Sequence, residues 1–237
     1  MDNISEALKF VVAQNNKIHD RKILEVLGRT YSFGNLQPVK EPVPETIKTT
    51  TLTGLVDFVS SDFGPHHDTN FIHVKSPESV AVLSDLFGSF VQRKNPVCAE
   101  HVGMGFKFGI HLPPADFLVG LHALFAEGGD KDDLLRGVSA IKIDAGGTVE
   151  DNGISQKVTV TSGARLLEVK DLKPRVTLYP HCTFPEIAPP MRQFVFRLDK
   201  EGKPGLFPAD GETWKGRTMA EIKTWLSERL PQWKILA

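Results

Sequence analysis

Residues 175–199 read RVTLYPHCTFPEIAPPMRQFVFRLD, two segments of alternating apolar residues held apart by a stretch with four prolines. The outer parts, residues 175–179 and 193–198, place apolar side chains on one face at period two, as half-buried strands do. Pro180, Pro185, Pro189 and Pro190 cannot donate to a strand ladder and hold φ near about −65°, so the segment between is neither sheet nor helix. A stiff connector therefore crosses between two strands. Its own apolar residues, Phe184, Ile187 and Met191, must lie against the chain's own core or a neighbouring subunit.

Composition sets the class around this element. The 237 residues are 41% hydrophobic and 24% charged, enough for one large or two small globular domains whose interior needs no disulfide or metal. Cys98 and Cys182 are distant and unpatterned, which favours reduced, packed thiols. With 28 basic and 29 acidic residues interspersed, the formal charge of −1 supplies no field for a polyanion, and general nucleic-acid binding is not expected. The N-terminal MDNISEALKFVVAQNN carries acids where a signal peptide needs positive charge, and no apolar run approaches the ~20 residues that span a bilayer. The expectation is a cytoplasmic protein without a membrane anchor.

Along the chain, Asn3 and Glu6 form a capping box, and Ile4, Ala7, Leu8, Val11 and Val12 recur at helical spacing, predicting an amphipathic helix ending near Asn15 and Asn16. Short strands are expected in KILEVLG and RTYSF, followed by the proline-rich linker QPVKEPVPE. Residues 1–44 thus read as a helical arm plus linker, and residues 45–237 as an α+β core domain. In the core, Thr51 or Thr53 caps a helix with Leu52, Leu55, Val56 and Val59 on one face, and FIHVKS and SVAVLSDLF make a hairpin around Pro77 and Glu78. Further strands are expected at NPVCAEHV and MGFKFGIHL. Pro113 and Pro114 open a helix, and Asp130 caps another. Period two returns in QKVTVTS, RLLEV, RVTLY and QFVFRLD; Thr218 and Glu221 then make a capping box for a last helix with Met219, Ile222, Trp225, Leu226 and Leu230 inside. Strands come in groups with helices inserted, so the fold class is α+β with mainly antiparallel sheets, an N-terminal amphipathic helix and a C-terminal helix.

No catalytic signature stands out, and no cofactor is implied. His66, His67 and Asp68 have the donor types of a metal site, but neighbours on an extended chain diverge, so an exposed polar turn is the simpler reading. His101 and His111 flank GMGFKFG and His73 lies mid-strand; the glycines lack the order of a phosphate loop. Cys182 beside His181, and Cys98 near Glu100 and His101, are thiol candidates whose bases would have to come from elsewhere in the fold. Asp130, Asp132 and Asp133 suit a helix N-terminus. One ligand pocket suggests itself: Tyr179 with Arg175, Arg192 and Arg197, which could stack and clamp a small nucleotide. Against it, Phe194 and Phe196 share a face as core residues do.

The stretches VTLYPHCTFPEIAPPMRQFVFRL, TLTGLVDFV, FIHVKSPESVAVLSD and GETWKGRTMAEIKTWLSERL resemble a family of phage and prophage proteins, over residues 45–237. The resemblance implies expression in the cytoplasm of an infected or lysogenic bacterium and transfers no catalytic residue. Two functions follow as expectations. One is a non-enzymatic protein whose partner is itself, a homo-oligomer using the N-terminal arm and the proline connector as contacts. The other is a binder of a small nucleotide ligand, and a metal-dependent hydrolase on His66, His67 and Asp68 stands behind both.

Overall fold

The computed structural model describes residues 6, 8–10, 13, 23–26, 29–32, 37–38, 42–88, 91–103, 105–140, 148–151, 156–162, 165–168 and 173–237. Glu6, Leu8, Lys9, Phe10 and Ala13 are helical, as the N-terminal spacing predicts; the other residues expected in that helix, and residues 39–41 of the linker, lie outside the described residues.

Two small antiparallel sheets carry the segments read as short strands and add two strands that the spacing does not predict, one at Gln37–Pro38, read as linker, and one at Thr148–Asp151. The first joins β1 (Ile23–Val26), β2 (Arg29–Ser32) and β3 (Gln37–Pro38). The second joins β8 (Thr148–Asp151), β9 (Gln156–Ser162) and β10 (Arg165–Glu168).

The largest sheet has the order β14-β5-β6-β7-β4. Its centre is antiparallel, β5 (Asn70–Ser76) with β6 (Ser79–Ser84) and β6 with β7 (Val97–Glu100), while β4 (Ile47–Thr49) and β14 (Ile235–Leu236) add in parallel at the two ends. Helix α1 (Leu52–Val59) packs on β7; its N-cap Thr51 accepts from the Gly54 N–H at 3.1 Å, satisfying one orphan donor of the first turn. Helix α4 (Trp214–Arg229) lies on β5 beside α1. Leu52, Leu55, Ile72, Val74, Val82, Val97, Ile222 and Leu226 bury themselves between these layers.

A second core is built on the antiparallel sheet β11-β12-β13, with β11 (Arg175–Leu178), β12 (Arg192–Leu198) and β13 (Pro204–Pro208). Helices α2 (Pro114–Leu124) and α3 (Lys131–Ala140) pack together against it around Phe117, Leu121, Leu134, Phe194 and Phe196. Loops line both margins of this sheet. Gly109 and Leu112 donate to Leu206 and Pro204 of β13, and on the other side Ala126 and Asp130 donate to Tyr179 and Thr177. Gly129 has φ +61, and a Cβ there would fall 2.2 Å from the Thr177 carbonyl oxygen, so the close run past β11 requires glycine.

The proline connector joins the two cores. It leaves β11 and returns as β12 in the second core, yet Phe184 is fully buried in the first, and Ile187 lies beside it. Glu186 reinforces the crossing by accepting the Thr53 N–H at 2.8 Å, at the N-terminus of α1. Met191 is half exposed and joins neither core.

Three expectations change. Residues 105–112 of MGFKFGIHL are not a strand: they form a loop that turns at Phe108 and Gly109, with one ladder contact among the described residues, a bridge from His111 to Gly205. Thr218 does not cap the last helix but sits buried one turn inside it, because the helix starts at Trp214. Asp130 turns its carboxylate to Lys173 and the Thr177 N–H, at 2.7 and 2.8 Å.

Truncating the connector's anchor tests this architecture. Phe184→Ala should cost about 3–5 kcal/mol by opening a cavity in the first core, whereas Met191→Ala should stay within about 0.5 kcal/mol of wild type. Urea unfolding midpoints read the difference; equal effects would mean that the connector does not anchor through Phe184.

Candidate functional site

Two chain segments pass between the two cores, and a cleft lies where they meet the turn between β5 and β6. Beyond β7 the chain leaves the first core at His101 and reaches the second at Phe106 and Phe108. The connector runs back the other way through Pro180, His181 and Cys182. The turn between β5 and β6 is pinned against both, since Glu78 O accepts the His101 N–H at 2.8 Å and Pro77 O accepts the buried Thr183 hydroxyl at 2.6 Å. With Leu124 at the end of α2, these segments enclose about 200 Å³ lined by Glu78, His101, Gly103, Gly105, Phe106, Phe108, Leu124, Pro180, His181 and Cys182. Junctions between packed units are common places for ligand pockets.

The walls are rigid. Phe108 stacks on Phe194 with centroids 4.9 Å apart, and Phe106 meets Phe108, Phe117 and Phe125 at 5.2 to 5.6 Å. The His101 ring covers Gly103 so closely that a Cβ there would fall 2.5 Å from Nε2. Behind Phe108 lies Arg192, 7% exposed, whose Nε and Nη2 donate to the two carboxylate oxygens of Asp210 at 2.7 and 3.3 Å. Its guanidinium also faces Phe108, Phe194 and Trp214, at 5.5, 5.1 and 4.7 Å from the ring centroids.

Burial pushes the Cys182 thiol up to about 11, against the pull of nearby Arg192 and with the help of the Glu78 and Asp210 carboxylates. At neutral pH it is therefore a neutral thiol and a poor nucleophile. Burial likewise raises Cys98, which sits on β7 away from the cleft.

The residues expected to clamp a nucleotide are not gathered in one pocket. Arg192 pairs across the ladder with Leu178 on the buried face of the sheet, where Asp210 holds it. Arg175 is exposed opposite Val195, and Arg197 is half-buried opposite Gly205, on the other face. Tyr179 lies against the turn at Gly128 and Gly129. His66, His67 and Asp68 are exposed in one loop, with His67 Nδ1 3.1 Å from Asp68 Oδ1. Among the described residues no group of three or more His, Cys, Asp or Glu side chains is arranged to hold a metal ion. His73 lies in β5 opposite Ala81, and His111 packs on Phe207 at 5.4 Å, so neither joins His101 at the cleft.

No helix among the described residues is long and apolar enough to cross a membrane. No protein-family model, curated protein or solved structure matches the chain.

Two measurements probe this site. Iodoacetamide labelling followed peptide by peptide should find Cys182 about a thousandth ionised at pH 8 and its labelling rate rising about tenfold per pH unit toward pH 10; rapid labelling at pH 7 would show a thiolate instead. The bond from Arg192 holds the Asp210 carboxyl below the usual carboxylate range. A lowered carboxyl stabilises the fold above its unfolded pKa of about 4 and loses that contribution as pH falls through the lower folded value. Asp210→Asn, which leaves the guanidinium buried without its counter-charge, should cost about 3 kcal/mol at pH 7, and the gap from wild type should narrow at pH 3.

Proposed function

We propose that this chain is a small-ligand-binding protein whose site is the cleft between the two cores. The observation that carries this reading is the convergence of Glu78, His101, His181 and Cys182, from three separate stretches, on one concave space with aromatic walls. Binding is favoured over catalysis by the state of the thiol. Cys182 is held neutral at physiological pH, and neither imidazole hydrogen-bonds to it, so it lacks the adjacent base that activates a nucleophile. The reading keeps the small-ligand function expected from the sequence but moves it from Arg175, Tyr179, Arg192 and Arg197 to the cleft.

A second reading, self-association, draws on a different observation. Leu8 and Phe10 of the N-terminal helix are 59% and 64% exposed, and apolar side chains so placed gain from burial against another copy. The resemblance to phage and prophage proteins suits either role, in the cytoplasm of a bacterial host.

Protection of Cys182 from alkylation at pH 9 tests the binding reading. Across a chemically diverse fragment library, cleft ligands should slow labelling of Cys182 and leave Cys98 unchanged; a library with no protecting compound sinks the proposal. For self-association, light scattering on the full chain should give a mass above the 26.2 kDa monomer that falls in Leu8→Glu/Phe10→Glu. A monomeric wild type would remove that reading.

A further inference from the structure

Resting on the cleft as a ligand site, the chemistry of its lining selects a class of ligand. We infer that the cleft takes one flat ring system bearing adjacent N–H donors, the amidine-type edge shared by a guanine base and an arylamidine, with the Glu78 carboxylate as its partner.

Size sets the first limit. About 200 Å³ is below the ~300–1,000 Å³ that drug-sized ligands occupy, so there is room for one ring system and none for a dinucleotide. Shape sets the second. Phe106, Phe108, Leu124 and Pro180 supply apolar walls, and the phenyl rings are locked by their neighbours, so a flat aromatic guest binds without reordering the host.

Charge sets the third. No lysine or arginine among the described residues lines the cleft. The buried guanidinium of Arg192, behind Phe108, gives Nε and Nη2 to Asp210 and its face to three rings, and it is not part of the lining that would clamp a phosphate. Among the described residues Glu78 is the only carboxylate in the lining, and its side chain makes no ion pair with any of them. A carboxylate accepts two parallel N–H bonds from a donor edge and repels phosphate or a carboxylic acid. His101 and His181 can each offer an acceptor or a donor to the remaining edge of the ring.

The test uses four probes at pH 8 on the full chain: benzamidine, guanosine, guanosine 5′-monophosphate and benzoate. Calorimetry gives affinity, and protection of Cys182 from alkylation reports occupancy of the cleft. Benzamidine or guanosine should bind and protect, at least tenfold tighter than benzoate and guanosine monophosphate respectively, and whichever of the two binds separates a cationic amidine from a neutral base. Glu78→Gln, at an exposed turn, should weaken the favoured probe at least tenfold with an unchanged melting temperature. Preference for benzoate or the monophosphate, full affinity in Glu78→Gln, or protection by library fragments with no donor edge while all four probes fail, would overturn the ligand class and leave the cleft a site. A library in which nothing protects Cys182 would instead remove the site itself.

Discussion

The connector between β11 and β12 imposes the constraint on which both halves of the molecule depend. Phe184 and Ile187 complete an interior made of β5, β6, β7, α1 and α4, although the strands on either side of them belong to the other interior. Four prolines limit the conformations open to this segment before folding, which lowers the entropy lost in holding it across the junction. At its far end Arg192 is tied to Asp210, in the loop that enters α4, and α4 carries the chain back to the first core. The first half cannot close without side chains delivered from between two strands of the second. The cleft follows from that arrangement, because the crossing segments lie side by side without filling the space between them.

Much of this was legible in the sequence, and the failures share a cause. Alternation identified β5, β11 and β12, because in each the period-two face is also the buried face. The same alternation misled at residues 105–112, where Phe106 and Phe108 pack into a core from a loop whose one ladder contact among the described residues is the bridge from His111 to Gly205. Periodicity reports which side is buried and says nothing about whether backbone hydrogen bonds are made. β13 was missed because prolines stand at both of its ends, and β4 and β14 because two or three residues are too few to show a period. The Thr218 and Glu221 spacing matched a capping box one turn after the helix had begun.

The candidate site was less legible. Arg192 shares parity with Phe194 and Phe196, so the sequence held the signal that it faces inward, away from Arg197. His101, His181, Cys182 and Glu78 were each visible as chemistry, but their meeting depends on two chain crossings that no local pattern encodes. A thiol weighed with its sequence neighbour looked like a weak nucleophile. In the fold its surroundings are an aromatic wall, a carboxylate and a buried ion pair.

The loops that line β11 and β13 bear on how copies of this chain can meet. With residues 124–130 bonded along one side of that sheet and residues 109–112 along the other, neither outer strand offers a free row of amides and carbonyls to an incoming peptide. The end strands of the larger sheet are only three and two residues long, too short to template an extended partner. Growth of a continuous cross-molecular ribbon, the route to fibrils, is thereby blocked at these two sheets.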